Sequence, residues 1–459
     1  MKLTSLIFAG AFAFILPAAQ ASAHSVQTAV QTALTSNPQI KASDANFRAL
    51  TYDLLQTQAG FMPTVRLFGD VGNEYVDNPQ GLSPADNATA KIKSELGVVA
   101  ELTLFDGFAR ANQVYAAAAR VDQSAFQLLD ASETMALMVT EQYINIARQQ
   151  QLLGVAERNL RRLRQISRQA RTMVDGGRLP ASDYFQVESA IFSAQATIAE
   201  IQRRLAEASA RYKRLVGIAP HANFALPKPV RPPASIEEYV KSSVANSYRV
   251  RVAGKAVDIR GFEEKVAEAD YAPQVKLNAG ASVGNNLDGS RGSEKRAFVG
   301  VGVSWQLYGG MRNERRMGLS ERKNEALYQR MAVIREVEEL ATVAWTAFQT
   351  NMVRSEFLGS ETRSLQRMSA SYNQEFEMAT RSVLDLLIVE NRLYNARFQQ
   401  INAAAILSYN GYRALAAQSK LAKHFGIKDS DRVMAEQLAP RQGQKPRQVI
   451  DSGRLLLDQ

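Results

Sequence analysis

The chain has 459 residues, of which 46% are hydrophobic and 22% charged, and its formal net charge is +10. This composition is typical of a folded protein and excludes a disordered chain or a bundle of membrane helices. The chain has no cysteine and three histidines, His24, His221 and His424, which are far apart in sequence. A thiol nucleophile, a zinc site or another cofactor is therefore not expected.

The N-terminus has the pattern of a secretory signal peptide over residues 1–23. Lys2 precedes an apolar core at Leu6–Leu16, and Ala21-Ser22-Ala23 is a small-x-small cleavage site. The alternative is a membrane anchor, but the apolar run is too short to span a bilayer as a helix. Export also favours interpreting the arginine-rich segment 158–171 as a solvated helix face, so we expect no nucleic-acid partner.

The remainder of the chain is predicted to be a duplication, with a first repeat at 24–216 and a second at 236–425. Pro63 matches Pro273 at an offset of 210, and Asp183 matches Asp385 at an offset of 202. Each match alone is weak, but all of them follow the same order. Between the repeats, residues 217–235 carry five prolines and are predicted to form a linker.

Each repeat is predicted to contain a helix, two strands joined by a loop, and very long helices. Apolar and polar residues alternate at about 64–75 and 91–106, and again at about 274–284 and 297–309. Period two over such lengths indicates strands with one apolar and one polar face. From Met311 to Ala417 the chain has no proline and few glycines, which predicts helices long enough for coiled-coil packing.

The four predicted strands are each long enough to cross a bilayer at a tilt, but four strands cannot close a membrane barrel. An open sheet edge in lipid would leave backbone groups unpaired, so several chains must combine their strands. Three chains would supply 12 strands. If the sheet is instead soluble, the alternative is a sandwich of two hairpins.

Several segments together resemble the TolC-type outer-membrane efflux and type I secretion duct family. They are the segments GFMPTV and DYAPQV at the helix ends, LFDG and LYGG after the second strand of each repeat, and TRSVLDLLIVENRLYNAR. The resemblance implies an α+β membrane protein that is a homotrimer, with a 12-stranded β-barrel in the outer membrane continuous with a long antiparallel α-helical barrel in the periplasm. It also implies a periplasmic adaptor protein and an inner-membrane ABC or proton-driven transporter as partners. Pro63 and Pro273 would then mark the helix-to-strand switches, because residues before proline favour extended geometry.

The resemblance also implies a gate at the periplasmic tip. Arg381 and Asp385 are four positions apart and are expected on one helix face. By the resemblance, Asp385 would form a carboxylate ring in the trimer, and Arg381 would pair with Asp183 as a latch. The sequence departs from the family pattern at Ile388, where a second aspartate is usual, and at Phe376, where a tyrosine is usual. A less acidic, more weakly latched gate is therefore expected.

Three readings of the function compete. The first is a passive exit duct driven by a partner, since the chain has no GxxxxGK[ST] motif for a nucleotide. The second is a periplasmic coiled-coil scaffold without a pore. The third, an enzyme, lacks any nucleophile–base arrangement. Efflux and protein secretion both remain open as substrate classes, with a slight preference for secretion, and the polar tail 426–459 is expected to be flexible.

Overall fold

A computed structural model of the protein describes residues 25–221, 223–378 and 380–429. The predicted signal peptide, and the predicted tail from residue 430 onward, lie outside these residues. The helices are α1 (Val26–Ser36), α2 (Pro38–Ala59), α3 (Ala109–Asp175), α4 (Ala181–Val216), α5 (Ile236–Asn246), α6 (Tyr248–Glu268), α7 (Arg312–Glu377), α8 (Val383–Ala417) and α9 (Leu421–His424). The strands are β1 (Thr64–Val76), β2 (Thr89–Phe105), β3 (Gln274–Asn285) and β4 (Ser293–Ser304).

Two helices dominate the architecture. α3 has 67 residues and α7 has 66, so each is roughly 100 Å long at 1.5 Å per residue. Two shorter helices, α2 and α4, pack along α3, while α6 and α8 pack along α7. Both repeats have the same element order, two short helices, two strands, one very long helix and one shorter helix. Within the described residues, none of the helices combines the length and apolarity needed to cross a membrane.

Hydrogen bonds join the stacked short helices where they meet end to end. The Asn37 side chain donates from Nδ2 to the Leu215 carbonyl over 2.8 Å, linking α2 to the end of α4. In the second repeat the Tyr248 backbone N–H donates to Ser419 Oγ over 3.3 Å, linking α6 to the end of α8. These partners satisfy groups that a helix end leaves without an intrahelical bond.

The strands form one antiparallel sheet in the order β1-β2-β3-β4. The central β2–β3 pairing joins the two repeats. One face is aliphatic and exposed, for example at Leu67 (72%) and Val299 (75%). The other carries cross-strand ion pairs, Lys93 with Asp70 (3.4 Å) and Lys276 with Glu101 (2.7 Å). This is the division into apolar and polar faces that the alternating sequence predicted.

The last strand differs from the sequence prediction. β4 covers Ser293–Ser304 rather than about 297–309. Its partner β3 begins at Gln274, which pairs with Ser304, and the preceding Pro273 has no N–H to extend the ladder. At the other end, the pairing of Asn285 with Ser293 starts the strand earlier than the apolar pattern indicated.

The predicted proline-rich linker between the repeats packs against the helices, and we call it the strap. Phe224 is buried, with its ring centroid 4.6 Å from that of Tyr143. Two side-chain donors hold its carbonyls, Ser408 Oγ to Pro227 (2.7 Å) and Trp345 Nε1 to Pro233 (2.9 Å). Gly411 on α8 lies against it, and a Cβ there would be 2.5 Å from the Val230 carbonyl oxygen. The strap therefore ties α3, α7 and α8 together.

The described end of the chain, which includes the first four residues of the predicted tail, is also packed. Glu133 on α3 is buried and accepts from the backbone N–H groups of Leu421 (2.9 Å) and Ala422 (3.0 Å). Tyr248 donates to Asp429 over 2.9 Å, which holds the last described residue. Burial raises the pKa of Glu133 to about 7, against the lowering effect of the two N–H groups.

A second buried carboxylate lies on the same helix. Asp122 is 3.1 Å from Lys255 of α6. Burial raises the pKa of Asp122 to about 6, although Lys255 acts in the opposite direction. Since both carboxyl groups bind protons more tightly in the folded chain than in the unfolded one, acid favours the folded state at these two positions.

The strap contact generates a stability prediction. Gly411→Ala should destabilise the protein by about 1–3 kcal/mol, because the new methyl group has no space beside Val230. The matched control is Gly359→Ala on α7, where the nearest outside atom is 3.6 Å away and alanine is the better helix former. Thermal unfolding in detergent measures both. Equal melting temperatures for the two variants would contradict the strap contact.

The buried carboxylates generate a pH prediction. Stability contributed by Glu133 and Asp122 is present below their unfolded-state pKa values and is lost as pH rises to about 6–7. Glu133→Gln should flatten this loss between pH 5 and 8 by an amount on the order of 3 kcal/mol. Melting temperatures measured across that range test it, with the exposed Glu157→Gln as control. A slope that is the same in both variants would contradict the assignment to Glu133.

Candidate functional site

Each repeat changes from helix to strand at a proline. Pro63 lies between the end of α2 and Thr64, and Pro273 lies between the helical turn Ala269–Tyr271 and Gln274. Ala272 is already extended, with φ −92° and ψ 154°. This geometry is the one that a following proline favours, so the backbone is extended before the first ladder pair forms.

An arginine side chain contacts each of these helix-to-strand junctions. The sequence analysis did not identify these arginines. The Arg110 guanidinium lies 4.8 Å from the Phe61 ring centroid and donates to the carbonyls of Gly60 (3.2 Å) and Thr103 (2.8 Å). Arg312, 202 positions later, lies 5.1 Å from the Tyr271 ring and donates to the Asp270 carbonyl over 2.9 Å. The offset of 202 between the repeats, read from the sequence, could have identified Arg110 and Arg312 as equivalent residues.

At the opposite end of the long helices, each repeat reverses in a similar turn. In the first, Gly177 has a positive φ of 68°, and the Arg178 N–H donates to the Met173 carbonyl over 2.8 Å. In the second, the Thr380 N–H donates to the Glu375 carbonyl over 3.0 Å. Both bonds join equivalent positions of the two repeats and close the C-terminus of a long helix.

One apolar cluster joins all four helices next to these turns. Its buried members are Ile166, Ala170, Val187, Phe376, Val383 and Leu386. Phe376, which stands where the resembled family has a tyrosine, is only 1% exposed. A hydroxyl at that depth would need a hydrogen-bond partner, so phenylalanine here stabilises the turn by packing instead of by a polar link.

The two aspartates predicted for the gate occupy equivalent places, in the first turns of α4 and α8. Asp183 forms no ion pair with any of the described residues, and its backbone N–H donates to the Pro180 carbonyl over 3.1 Å. The Asp385 backbone N–H donates to Ser382 Oγ (3.1 Å), and the Ser382 hydroxyl lies 2.8 Å from the Asp385 carboxylate. Ser382 and Asp385 thus form a reciprocal cap at the N-terminus of α8, where a negative charge is favourable.

Arg381 does not lie where the sequence placed it. It precedes α8, so it does not share a helix face with Asp385, because the chain reverses between Glu377 and Val383. Nor does it pair with Asp183 in the described chain. Its guanidinium is 2.7 Å from Glu375 and 4.2 Å from the Tyr372 ring centroid. A hydrogen bond from Arg381 lowers the pKa of Glu375, with a smaller contribution from Ser371. Arg381 therefore links the end of α7 to the turn before α8. It does not connect the α7–α8 hairpin to the α3–α4 hairpin.

A different ion pair makes that connection. Arg162 of α3 donates from Nε to Glu390 of α8 over 2.9 Å. The same carboxylate oxygen accepts from Ser369 of α7 (3.0 Å), and Arg162 also donates to Asn373 (2.5 Å). The Glu390 side chain is 8% exposed. No spacing rule connects Glu390 to an arginine 228 positions away in the sequence.

The surface of α8 near the turn carries both apolar and acidic side chains. Leu384 and Ile388 are about half exposed, at 49% and 48%. Asp385, between them, is half-buried. Ile388 also lines a cavity of about 300 Å³ between α3, α4 and α8. Ile388 supplies an apolar side chain where the resembled family has a carboxylate.

Comparisons with known proteins give a consistent result. Residues 29–218 match the family model described as outer membrane efflux protein. The outer membrane efflux protein BepC of Brucella suis biovar 1 (strain 1330) is 22% identical over 409 residues, which are 89% of this chain and 88% of BepC.

Solved structures share the fold at low identity. VceC of Vibrio cholerae is 15% identical with a TM-score of 0.74, over 87% of this chain and 96% of VceC. The CmeC outer membrane channel of Campylobacter jejuni is 12% identical with a TM-score of 0.76, over 90% of this chain and 89% of CmeC. These likenesses confirm the predicted fold class, in which long helices continue a four-stranded sheet in each chain.

The matched family and the solved structures that share this fold are outer-membrane channel proteins and not enzymes. The exposed aliphatic face of the sheet agrees with that class. More specifically, residues 29–218 match the model of the outer membrane efflux protein family, and the resemblance to TolC-type ducts inferred from the sequence is confirmed.

Proposed function

We propose that three copies of this chain form a passive exit channel that crosses the outer membrane and extends into the periplasm. The observation that carries the proposal is the sheet, whose apolar face is exposed and whose outer strands β1 and β4 are each paired on one side only. In lipid the free edges must pair with another copy. Four strands from each of three chains give the 12-stranded barrel that the resemblance implies.

The helical part supports contact between copies. α7 carries large apolar side chains that the described chain leaves exposed, including Tyr328 (71%) and Phe357 (70%). On α4, at the other flank of the chain, Phe185 (61%) and Phe192 (62%) are exposed as well. Surfaces of this kind are typical of protein interfaces. Because the two flanks differ, the contact is head-to-tail, which closes into a ring.

The partners are proposed from the length of the helices and from the need of transport for an energy source. Helices of about 100 Å reach far from the sheet but supply no energy source for transport. The channel is therefore proposed to dock, through a periplasmic adaptor protein, to an inner-membrane ABC or proton-driven transporter. The relatives are described as efflux proteins, which favours efflux over the type I secretion that the sequence slightly preferred.

The competing hypothesis, a periplasmic scaffold without a pore, is distinguished by assembly and conductance. We expect the protein to be extracted from outer membranes only with detergent, to migrate as a trimer that dissociates on heating, and to conduct ions in planar bilayers. A chain that is released without detergent as a monomer and gives no conductance would contradict the channel.

The proposed selectivity element is Asp385. With three copies around one axis, the carboxylates of Asp385 would face one another near the turns, and like charges at close range attract cations. The cap formed with Ser382 fixes the side chain at the start of α8. Asp183 and Arg381 are not proposed as a pair within one chain, since Arg381 is bound to Glu375.

Asp385→Ala should reduce cation selectivity and cation block several-fold, because the three carboxylates of the proposed ring would be lost. Reversal potentials in a salt gradient and block by divalent cations measure this effect. The matched control is Asp183→Ala, at the equivalent position of α4. Selectivity that is unchanged in Asp385→Ala, or equally changed in both variants, would contradict a ring of Asp385 side chains.

A further inference from the structure

The polar face of the sheet, which would line the proposed channel, carries one aromatic side chain on each outer strand. Alternation along β1 places Phe68 on the same face as Arg66, opposite the exposed aliphatic side chain of Leu67. On β4 the same alternation places Phe298 on the polar face together with Arg296. Two phenylalanines therefore lie among charged and small side chains, on the face that does not meet lipid.

Both rings lie across a glycine of the neighbouring central strand. Phe68 is paired with Gly97 of β2, where a Cβ would be 2.6 Å from the ring atom Cζ. Phe298 is paired with Gly280 of β3, where a Cβ would be 2.7 Å from the ring atom Cε1. A side chain at either glycine would collide with the ring, so each ring packs on bare backbone and leaves its other side open to the channel.

The two rings remain accessible in spite of this packing. Phe298 is 55% exposed, and Phe68 is half-buried. The next positions on the same face of β4 are Gly300 and Gly302, which have no side chain that could cover the Phe298 ring. The polar wall of the sheet thus contains two open aromatic surfaces per chain.

A carboxylate without a cation partner in the described chain lies beside Phe68. Asp70 and Glu95 are directly opposite each other on β1 and β2, next to the Phe68–Gly97 pair and on the same face. Lys93 is 3.4 Å from Asp70, whereas Glu95 forms no ion pair with any of the described residues. Side chains at diagonal positions of a sheet are within reach of each other, so Glu95 and the Phe68 ring can contact one ligand. A ring face beside a carboxylate attracts cations, and its flat apolar surface favours cations that carry aromatic groups.

We propose that Phe68 and Phe298 form an aromatic binding surface inside the barrel for cationic compounds that carry aromatic groups, with Glu95 supplying the negative charge. This proposal rests on the proposed channel function and adds the chemical class of its substrates. In a ring of three copies, β4 of one chain would lie beside β1 of the next, so the two rings of adjacent copies would line neighbouring strands. Weak binding at several such surfaces lets a compound enter and also leave, as passage requires.

Block of single channels in planar bilayers tests the surface, with both compounds added from the side of the barrel. Tetraphenylphosphonium should block the unaltered channel at several-fold lower concentrations than tetrabutylammonium, which has the same charge and no aromatic group. Phe68→Leu combined with Phe298→Leu should remove this difference, because leucine still covers the glycines but has no aromatic face. The matched control Leu67→Ala alters the neighbouring side chain on the aliphatic face and should leave the difference unchanged.

A further variant separates charge from stacking. Glu95→Gln should weaken block by both cations by a similar factor and keep the preference for the aromatic one. Block by both cations that is unchanged in Glu95→Gln would overturn the role of Glu95.

The outcomes distinguish this surface from the channel itself and from a structural role of the rings. If the unaltered protein forms no pores, the proposed function fails. If it forms pores without a preference for tetraphenylphosphonium, or if the preference survives in the double leucine variant, only the aromatic surface is overturned. Rings that merely stabilise the sheet would change the melting temperature and leave the ratio of the two blocking concentrations as it is. The single variants Phe68→Leu and Phe298→Leu, each expected to reduce the preference in part, cover a double variant that does not assemble.

Discussion

Every backbone N–H and C=O group that enters lipid must find a hydrogen-bond partner, and this constraint governs the proposed assembly. The sheet satisfies it internally at the β1–β2, β2–β3 and β3–β4 ladders, and leaves it unmet at the two outer edges. The exposed aliphatic face makes lipid the natural surroundings of the sheet. Contact with further copies then becomes a condition of folding in the membrane and not an optional association.

The repeated architecture distributes mechanical roles along the molecule. At one end, Arg110 and Arg312 fix the two helix-to-strand junctions through backbone carbonyls. In the middle, the proline-rich strap and the segment held by Glu133 bind the helices together. At the other end, the hairpins are joined by an apolar cluster and one buried ion pair.

Much of the fold could be predicted from the local periodicity of apolar and polar residues. Alternation located the strands, and the prolines located the helix-to-strand switches. The turn before α8 was harder to predict. The run from Met311 to Ala417 has the composition of one continuous helix, and only the N-terminal cap formed by Ser382 and Asp385 marks the start of a second helix. Its neighbour Arg381 was consequently placed on a helix face that it does not occupy.

The candidate site could be predicted less well, because its contacts join distant parts of the chain. Glu390 and Arg162 meet only after four helices pack, and their spacing in sequence carries no signal. Likewise, a proline-rich composition indicates an irregular backbone but not whether that backbone is packed, and the close contact of Gly411 with Val230 decides this.

The internal duplication has a consequence for symmetry. Within one chain, β2 of the first repeat pairs with β3 of the second. In the proposed ring, β4 of one copy would meet β1 of the next, so a second-repeat strand would again lie beside a first-repeat strand. Three chains would therefore present six similar units around the axis. A partner that recognises one hairpin would find two related but unequal binding sites per chain, and differences at exposed positions such as Ile388 would decide which of them it occupies.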